Sequence, residues 1–423
     1  MSVRSASRPV RLLPVAVLCL VVGCSSSRPE TTPAVAADGA APKAAAAKSG
    51  GAAVSPVRAH IDAGNELLGR GRYDDAEREF RLALEADPGN LEATAGLGQV
   101  QVHRGDYSDA VPLLERATRP SSQMVTAFRS LGDAYAALGQ LDKAAVAYRQ
   151  AVALAPGDLS MRLALAHSLT EVGDYGEAAS ICTAALRMAK GQPETQAQVT
   201  RQLGEVYARE GRIAESMSAY YKASELDPRD PEIARGAADA AVRGGLYAEA
   251  ASALDRLLQL MPLDIDAKKQ LAWVNFKLER YPMAIRDYEA VGDSLGTVDR
   301  YYLAQAYAKS NKTDRAVELF RDVVRLDPEN YKGVYCNMAY AYYDATRYNR
   351  AIEMVKEGLA GDSASTCLKF CWAQALDKLG RHEEAIPMFE AVLSDPAYAE
   401  SAQRELERQK RIVRLLKTKD RAN

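Results

Sequence analysis

Three cysteines near the end of this chain, Cys336, Cys367 and Cys371, are close enough in sequence to act together. Thiols can bridge, ligate a metal or attack a substrate, so their company decides their chemistry. A zinc site wants a fourth ligand, and none is apparent; His382 falls on a different helix. Three free, half-buried thiols are the default expectation, while an oxidising compartment would let Cys336 bridge Cys367 or Cys371. Cys182 reads as structural. Six cysteines in 423 residues are too few for a disulfide framework. The four histidines, His60, His103, His167 and His382, stand singly, and His382-Glu383-Glu384 opens like a zinc helix without a second histidine. No Gly-rich phosphate loop or Gly-x-Ser-x-Gly elbow is found, and the carboxylates spread along solvated faces at helical spacing. We therefore expect no catalytic residue, metal or cofactor.

Binding chemistry is better represented. Arg201-Glu205-Arg209 and Arg235-Asp239-Arg243 repeat a basic–acidic–basic triplet at four-residue spacing, which allows intrahelical pairs. In Lys269-Trp273-Lys277 an indole replaces the acid, and Lys309 follows one unit later. Two lysines without their partner beside a tryptophan suggest a ligand segment that carries a carboxylate next to an apolar side chain. Most of the 21 tyrosines recur at regular places, but six crowd into 301–343: Tyr301, Tyr302, Tyr331, Tyr335, Tyr340 and Tyr343. Aromatic rings bury large areas at low entropic cost, which suits anchoring a protein or peptide. The net charge of −2 gives no global attraction to nucleic acid.

The elements that must position these residues are set by a 34-residue period. In 125–158, Leu131, Gly132 and Tyr135 share one helical face and Gly139 marks a turn. Ala144, Tyr148 and Ala151 line a second face, and Pro156 closes the unit. Ten such units run from 57 to 396, and 48% hydrophobic with only 7% aromatic content fits close Ala-rich helix packing. Glu279, Asn311 and Thr346 replace the turn glycine in units seven to nine, and Gly358 replaces a packing alanine. Those units are expected to turn or pack less regularly. Beyond Pro396, Ala399, Ala402, Leu406, Val413 and Leu416 form an apolar stripe on a basic helix, the cap a solenoid end requires.

These landmarks resemble the tetratricopeptide repeat over about four fifths of the chain. The resemblance implies an all-α, right-handed superhelix of about ten helix-turn-helix repeats over 56–396, closed by a capping helix and basic tail at 397–423. It also implies a concave groove lined by each first helix. Carried onto this chain, it places Lys269, Trp273, Phe276, Lys277, Tyr301, Lys309, Tyr340, Tyr343 and Phe370 in that groove.

Ahead of the repeats, Arg4, Arg8 and Arg11 precede an apolar run, Leu12 to Val22, about half of the roughly 20 residues a spanning helix needs. Val21-Val22-Gly23-Cys24 then resembles the lipobox of bacterial lipoproteins. It implies a leader over 1–23, acylation of Cys24 and loss of Cys19, with Ser25 matching outer-membrane sorting. Residues 24–55 are mostly Ala, Pro, Gly, Ser and Lys, with almost no large apolar side chain, and cannot build a core. The expected protein is a non-catalytic scaffold on the periplasmic side of the outer membrane, serving a secretin, type IV pilus or polymer-export machine through protein partners. The alternatives are a peptidoglycan-enzyme adaptor, or a peptide or glycan receptor using the aromatic groove of repeats seven to ten.

Overall fold

The computed structural model describes residues 55–119 and 122–422, with side chains through residue 418. The expected leader, linker and Cys24 lie outside the described residues. Twenty-one α-helices succeed one another, and among the described residues there is no strand. The first four hairpins pair Pro56–Gly69 with Tyr73–Ala86 (α1, α2), Leu91–Arg104 with Tyr107–Ala117 (α3, α4), Val125–Ala137 with Leu141–Leu154 (α5, α6) and Leu159–Val172 with Tyr175–Met188 (α7, α8). The next three pair Pro193–Glu210 with Ile213–Leu226 (α9, α10), Pro231–Arg243 with Tyr247–Leu260 (α11, α12) and Ile265–Lys277 with Tyr281–Glu289 (α13, α14). The last three pair Thr297–Lys309 with Thr313–Leu326 (α15, α16), Val334–Asp344 with Tyr348–Gly361 (α17, α18) and Thr366–Lys378 with His382–Glu390 (α19, α20). Ala399–Ala422 (α21) closes the array. This is the all-α array of helical hairpins that the resemblance implies.

One packing rule repeats along it. A bulky residue on a second helix wedges between small residues on the first helices of its own and the next repeat. Phe80 fills the space over Gly64 and Gly96, where an added Cβ would come within 2.7 and 2.4 Å of its ring. Tyr220 does the same between Gly204 and Gly236, at 3.2 and 2.5 Å. Tyr288, Phe320 and Phe389 are likewise buried, each large side chain contributing roughly 1.5–3 kcal/mol of burial. At Gly358 the rule inverts. The small residue lies on α18, and Tyr335 and Leu368 from the flanking first helices fill the gap, each within 2.7 Å of where its Cβ would be.

The expectation of irregular turns in repeats seven to nine is not met. Glu279, Asn311 and Thr346 adopt φ of 58°, 59° and 59°, the left-handed conformation that Gly139 takes at 71°. The hydrogen bonds match as well: Arg347 N–H donates to the Tyr342 carbonyl at 2.9 Å, as Gln140 N–H does to Tyr135 at 2.8 Å. Both are the six-to-one bond of a Schellman turn. Closing that bond requires the left-handed residue whatever its side chain.

Most first helices touch the next first helix as well as their own partner, whereas second helices do not approach one another comparably. First helices therefore lie on the inside of the curve. At the far end α21 buries Ala402 and Leu406 against α20. The expected stripe stops there, since Leu416 is 49% exposed. Fully buried Gln409 completes the contact instead, donating to Asp377 and accepting from His382 Nδ1, each at 2.7 Å. His382 thus fastens the cap.

Candidate functional site

The inner face carries two rows of side chains, one near the start of each first helix and one at its end. The first row is spent on holding repeats together. Arg201 faces Asp230 at 3.8 Å, Arg235 pairs with Asp264 at 2.7 Å, and Lys269 reaches Asp299 at 3.8 Å. Tyr301 packs on Tyr331 with ring centroids 5.6 Å apart, and Phe370 on Tyr398 at 5.0 Å. Between them Cys336 and Cys367 form a disulfide, with Cα atoms 6.2 Å apart. One rung thus joins each repeat from the fifth onward to the adjacent repeat or cap, by ion pair, ring contact or covalent bond.

These rungs correct several expectations. Lys269 is not left unpartnered, because the next helix supplies Asp299. The Arg235 triplet does not close on itself: Asp239 accepts from Gln270 at 2.9 Å while Arg235 turns to Asp264. Arg209 keeps its intrahelical contact with Glu205 at 3.4 Å but makes a closer pair, 2.7 Å, with Glu171 of the preceding repeat. Phe370 is not a groove residue. It is 7% exposed in the core, edge-on to Phe389 at 5.8 Å and covered by Tyr398, because a single cap helix follows repeat ten. Instead of three free thiols there is one, Cys371, whose buried environment pushes its thiol up to about 12.

The pairing of Asp264 has an electrostatic signature. Burial opposes its ionisation, but the Ala267 backbone N–H and the Arg235 guanidinium outweigh that and hold its carboxyl below the ordinary range. Asp264 also caps α13 through Ala267 N–H at 2.9 Å. Sequence reasoning missed this second duty. The signal was the recurrence of an acid about one repeat beyond each cation.

The remaining aromatic residues are half-buried rather than free. Trp273 meets Tyr247 and Tyr302 edge-on at 5.7 and 6.5 Å and touches two neighbouring core clusters. Phe276 lies against Tyr302 at 5.2 Å. Tyr340 donates to Gln374 at 3.1 Å, and burial raises its phenol and lifts that of Tyr343 to about 12. Tyr301 belongs to the rung row. The strip is therefore part mortar between first helices and part exposed edge. Lys277 sits 5.2 Å over the Trp273 ring as a cation–π contact, and Lys309 is exposed.

Among the described residues no group of three or more His, Cys, Asp or Glu could hold a metal. None of the described helices is long and apolar enough to cross a membrane. An open cleft of about 550 Å³, lined by Ser252, Asp255, Arg256, Gln259 and Arg280, lies along the second helices rather than the inner face.

Family models agree with this repeat geometry. Models of the tetratricopeptide repeat match residues 61–125, 104–159, 129–193, 163–231, 235–293, 300–330 and 373–394, more than half of the chain. A CTR9 homolog of Arabidopsis thaliana is 32% identical over 106 residues, 25% of this chain and 10% of that protein. The Hsp70-Hsp90 organizing protein of Triticum aestivum is 30% identical over 105 residues, 24% of this chain and 18% of that protein. The chain thus spans less than a fifth of either relative. Among solved structures, YrrB, described as a TPR protein with an unusual peptide-binding site, is 24% identical with a TM-score of 0.39, covering 42% of this chain and 89% of that one. The APC/C hetero-tetramer Cut9-Hcn1 is 15% identical with a TM-score of 0.36, covering 84% and 97%. With its hairpins, wedges and matched repeats accounted for, the chain belongs to the tetratricopeptide repeat family.

Proposed function

We propose that this chain is a non-catalytic scaffold for protein–protein interaction, is held at a bacterial membrane through an acyl chain on Cys24, and organises an envelope assembly such as a secretin, type IV pilus or polymer-export machine. The Arg4–Cys24 leader pattern and the coreless stretch after it support the anchoring part. An acyl chain on Cys24 would keep the chain at the membrane. The observation that carries the binding part is the exposed end-of-helix row on the inner face, where Lys277 and Lys309 are exposed and Lys277 lies over the half-buried Trp273 ring.

The test is crosslinking and capture of the full chain from intact cells, comparing wild type with Cys24→Ala. Wild type is expected in the membrane fraction together with components of one export or pilus machine. Cys24→Ala is expected in the soluble fraction with that capture diminished. Continued membrane association of Cys24→Ala removes the anchor. Recovery of wall hydrolases alone transfers the chain to a peptidoglycan-enzyme role.

A further inference from the structure

We infer that the ends of α11, α13 and α15 form a track for an extended acidic segment of a partner protein, with carboxylates on every third residue. The inference rests on the scaffold reading and names its partner's chemistry. Arg243, Lys277 and Lys309 are the last residues of three successive first helices, and all three are exposed. None lies within ion-pairing distance of a carboxylate among the described residues, whereas the rung cations of the same helices, Arg235 and Lys269, are paired. Helix ends favour a cation there, which explains the sign of the charge but neutralises none of it. One repeat earlier Arg209 is held by Glu171 and Glu205, and beyond Lys309 comes Asp344, which feels that lysine through space. The unpaired stretch is therefore three repeats long and bounded at both ends.

Its spacing selects the occupant's conformation. Helices in contact, as α13 and α15 are, stand about 8–10 Å apart, and α11 is tied to α13 by the Gln270–Asp239 and Arg235–Asp264 pairs. A polyproline II segment rises about 3.1 Å per residue with three residues per turn, so residues i, i+3 and i+6 share one face about 9 Å apart. The Trp273 indole, half-buried beneath Lys277, offers its outer edge to an apolar residue between two of the carboxylates. A globally attracted polyanion is disfavoured by the net charge of −2.

The test uses the purified full chain and fluorescein-labelled nonapeptides read by anisotropy. One peptide carries Glu at positions 2, 5 and 8 in a Pro/Ala background; its isomer carries the three Glu together; a third has Lys in their place. Wild type should prefer the spaced peptide over its isomer by about tenfold, the scale of three surface ion pairs, and lose that preference at high salt. R243E/K277E/K309E, whose one lost packing contact is that of Lys277 over the half-buried Trp273 ring, should keep its helicity, lose the acidic peptide and bind the Lys peptide. Equal binding of the two isomers, retention of the acidic peptide by the reversed chain, or displacement of the peptide by an oligonucleotide or anionic vesicle of equal charge would each overturn the track. If the reversed chain still captures its envelope partner, the track is wrong and the scaffold stands. If wild type binds the spaced peptide yet captures no envelope component, the track stands and the envelope role falls.

Discussion

Thr346→Gly is expected to stabilise this protein, against the usual direction for a glycine substitution. Thr346 holds φ at 59° with a β-branched side chain, in a region that costs an L-residue about 1–2 kcal/mol. Glycine removes that strain but restores unfolded-state freedom worth about 0.5–1 kcal/mol. The net gain is about 0.5–1 kcal/mol at Thr346 and near zero at Asn311, since asparagine tolerates the left-handed region. A repeat array does not unfold in one global step, so the gain is read locally, by hydrogen exchange of the α17 and α18 amides. Those amides should exchange about two- to fivefold more slowly in Thr346→Gly, because 1.4 kcal/mol is a factor of ten. Unchanged or faster exchange, or an equal gain in Asn311→Gly, would refute the reasoning.

Other consequences arise from the same contacts. Gly236→Ala drives a Cβ to 2.5 Å from the Tyr220 ring and should destabilise by about 1–3 kcal/mol; an unmoved urea midpoint would count against the wedge. Cys336→Ser opens a crosslink of sequence separation 31 and should cost about 3–4 kcal/mol of local stability, visible as a lower melting step under non-reducing conditions that wild type shows only with reductant. The stabilisation from Asp264, whose folded carboxyl sits below its ordinary 3.8, is complete above that value and is lost as pH falls through the lower folded one. Exchange at the α11–α13 junction should accordingly rise in acid for wild type and be insensitive to that pH step in Asp264→Asn. Cys371 should resist alkylation in the folded chain, its thiol being buried and pushed up to about 12; rapid labelling under native conditions would contradict its placement.

The repeat boundaries were legible because Gly132, Tyr148 and their equivalents must alternate small and large at a fixed period for hairpins to stack. Which inner-face residue faces solvent was not legible. Arg235, Lys269, Tyr301, Cys336 and Phe370 occupy equivalent places, and each is claimed by whatever the adjacent unit happens to offer. That offer depends on residues about one repeat away, beyond the reach of helical spacing. Turn geometry was misjudged for a related reason. A residue's dislike of positive φ suggests irregularity, but the turn-closing hydrogen bonds, Arg347 N–H to the Tyr342 carbonyl and Thr346 N–H to the Tyr343 carbonyl, outweigh about 1–2 kcal/mol of strain. Gly358 was seen as a departure, but its compensation by Tyr335 and Leu368 appears only when the neighbouring helices are in place.

A photo-crosslinking scan in intact cells bears most directly on the idea that partners meet the inner face. A photoreactive residue placed at 243, 277 or 309 should join the chain to a protein partner. The same residue at 146, 221 or 326, exposed positions on second helices, should not. Adducts confined to the second-helix positions, with none at the ends of the first helices, would contradict the account.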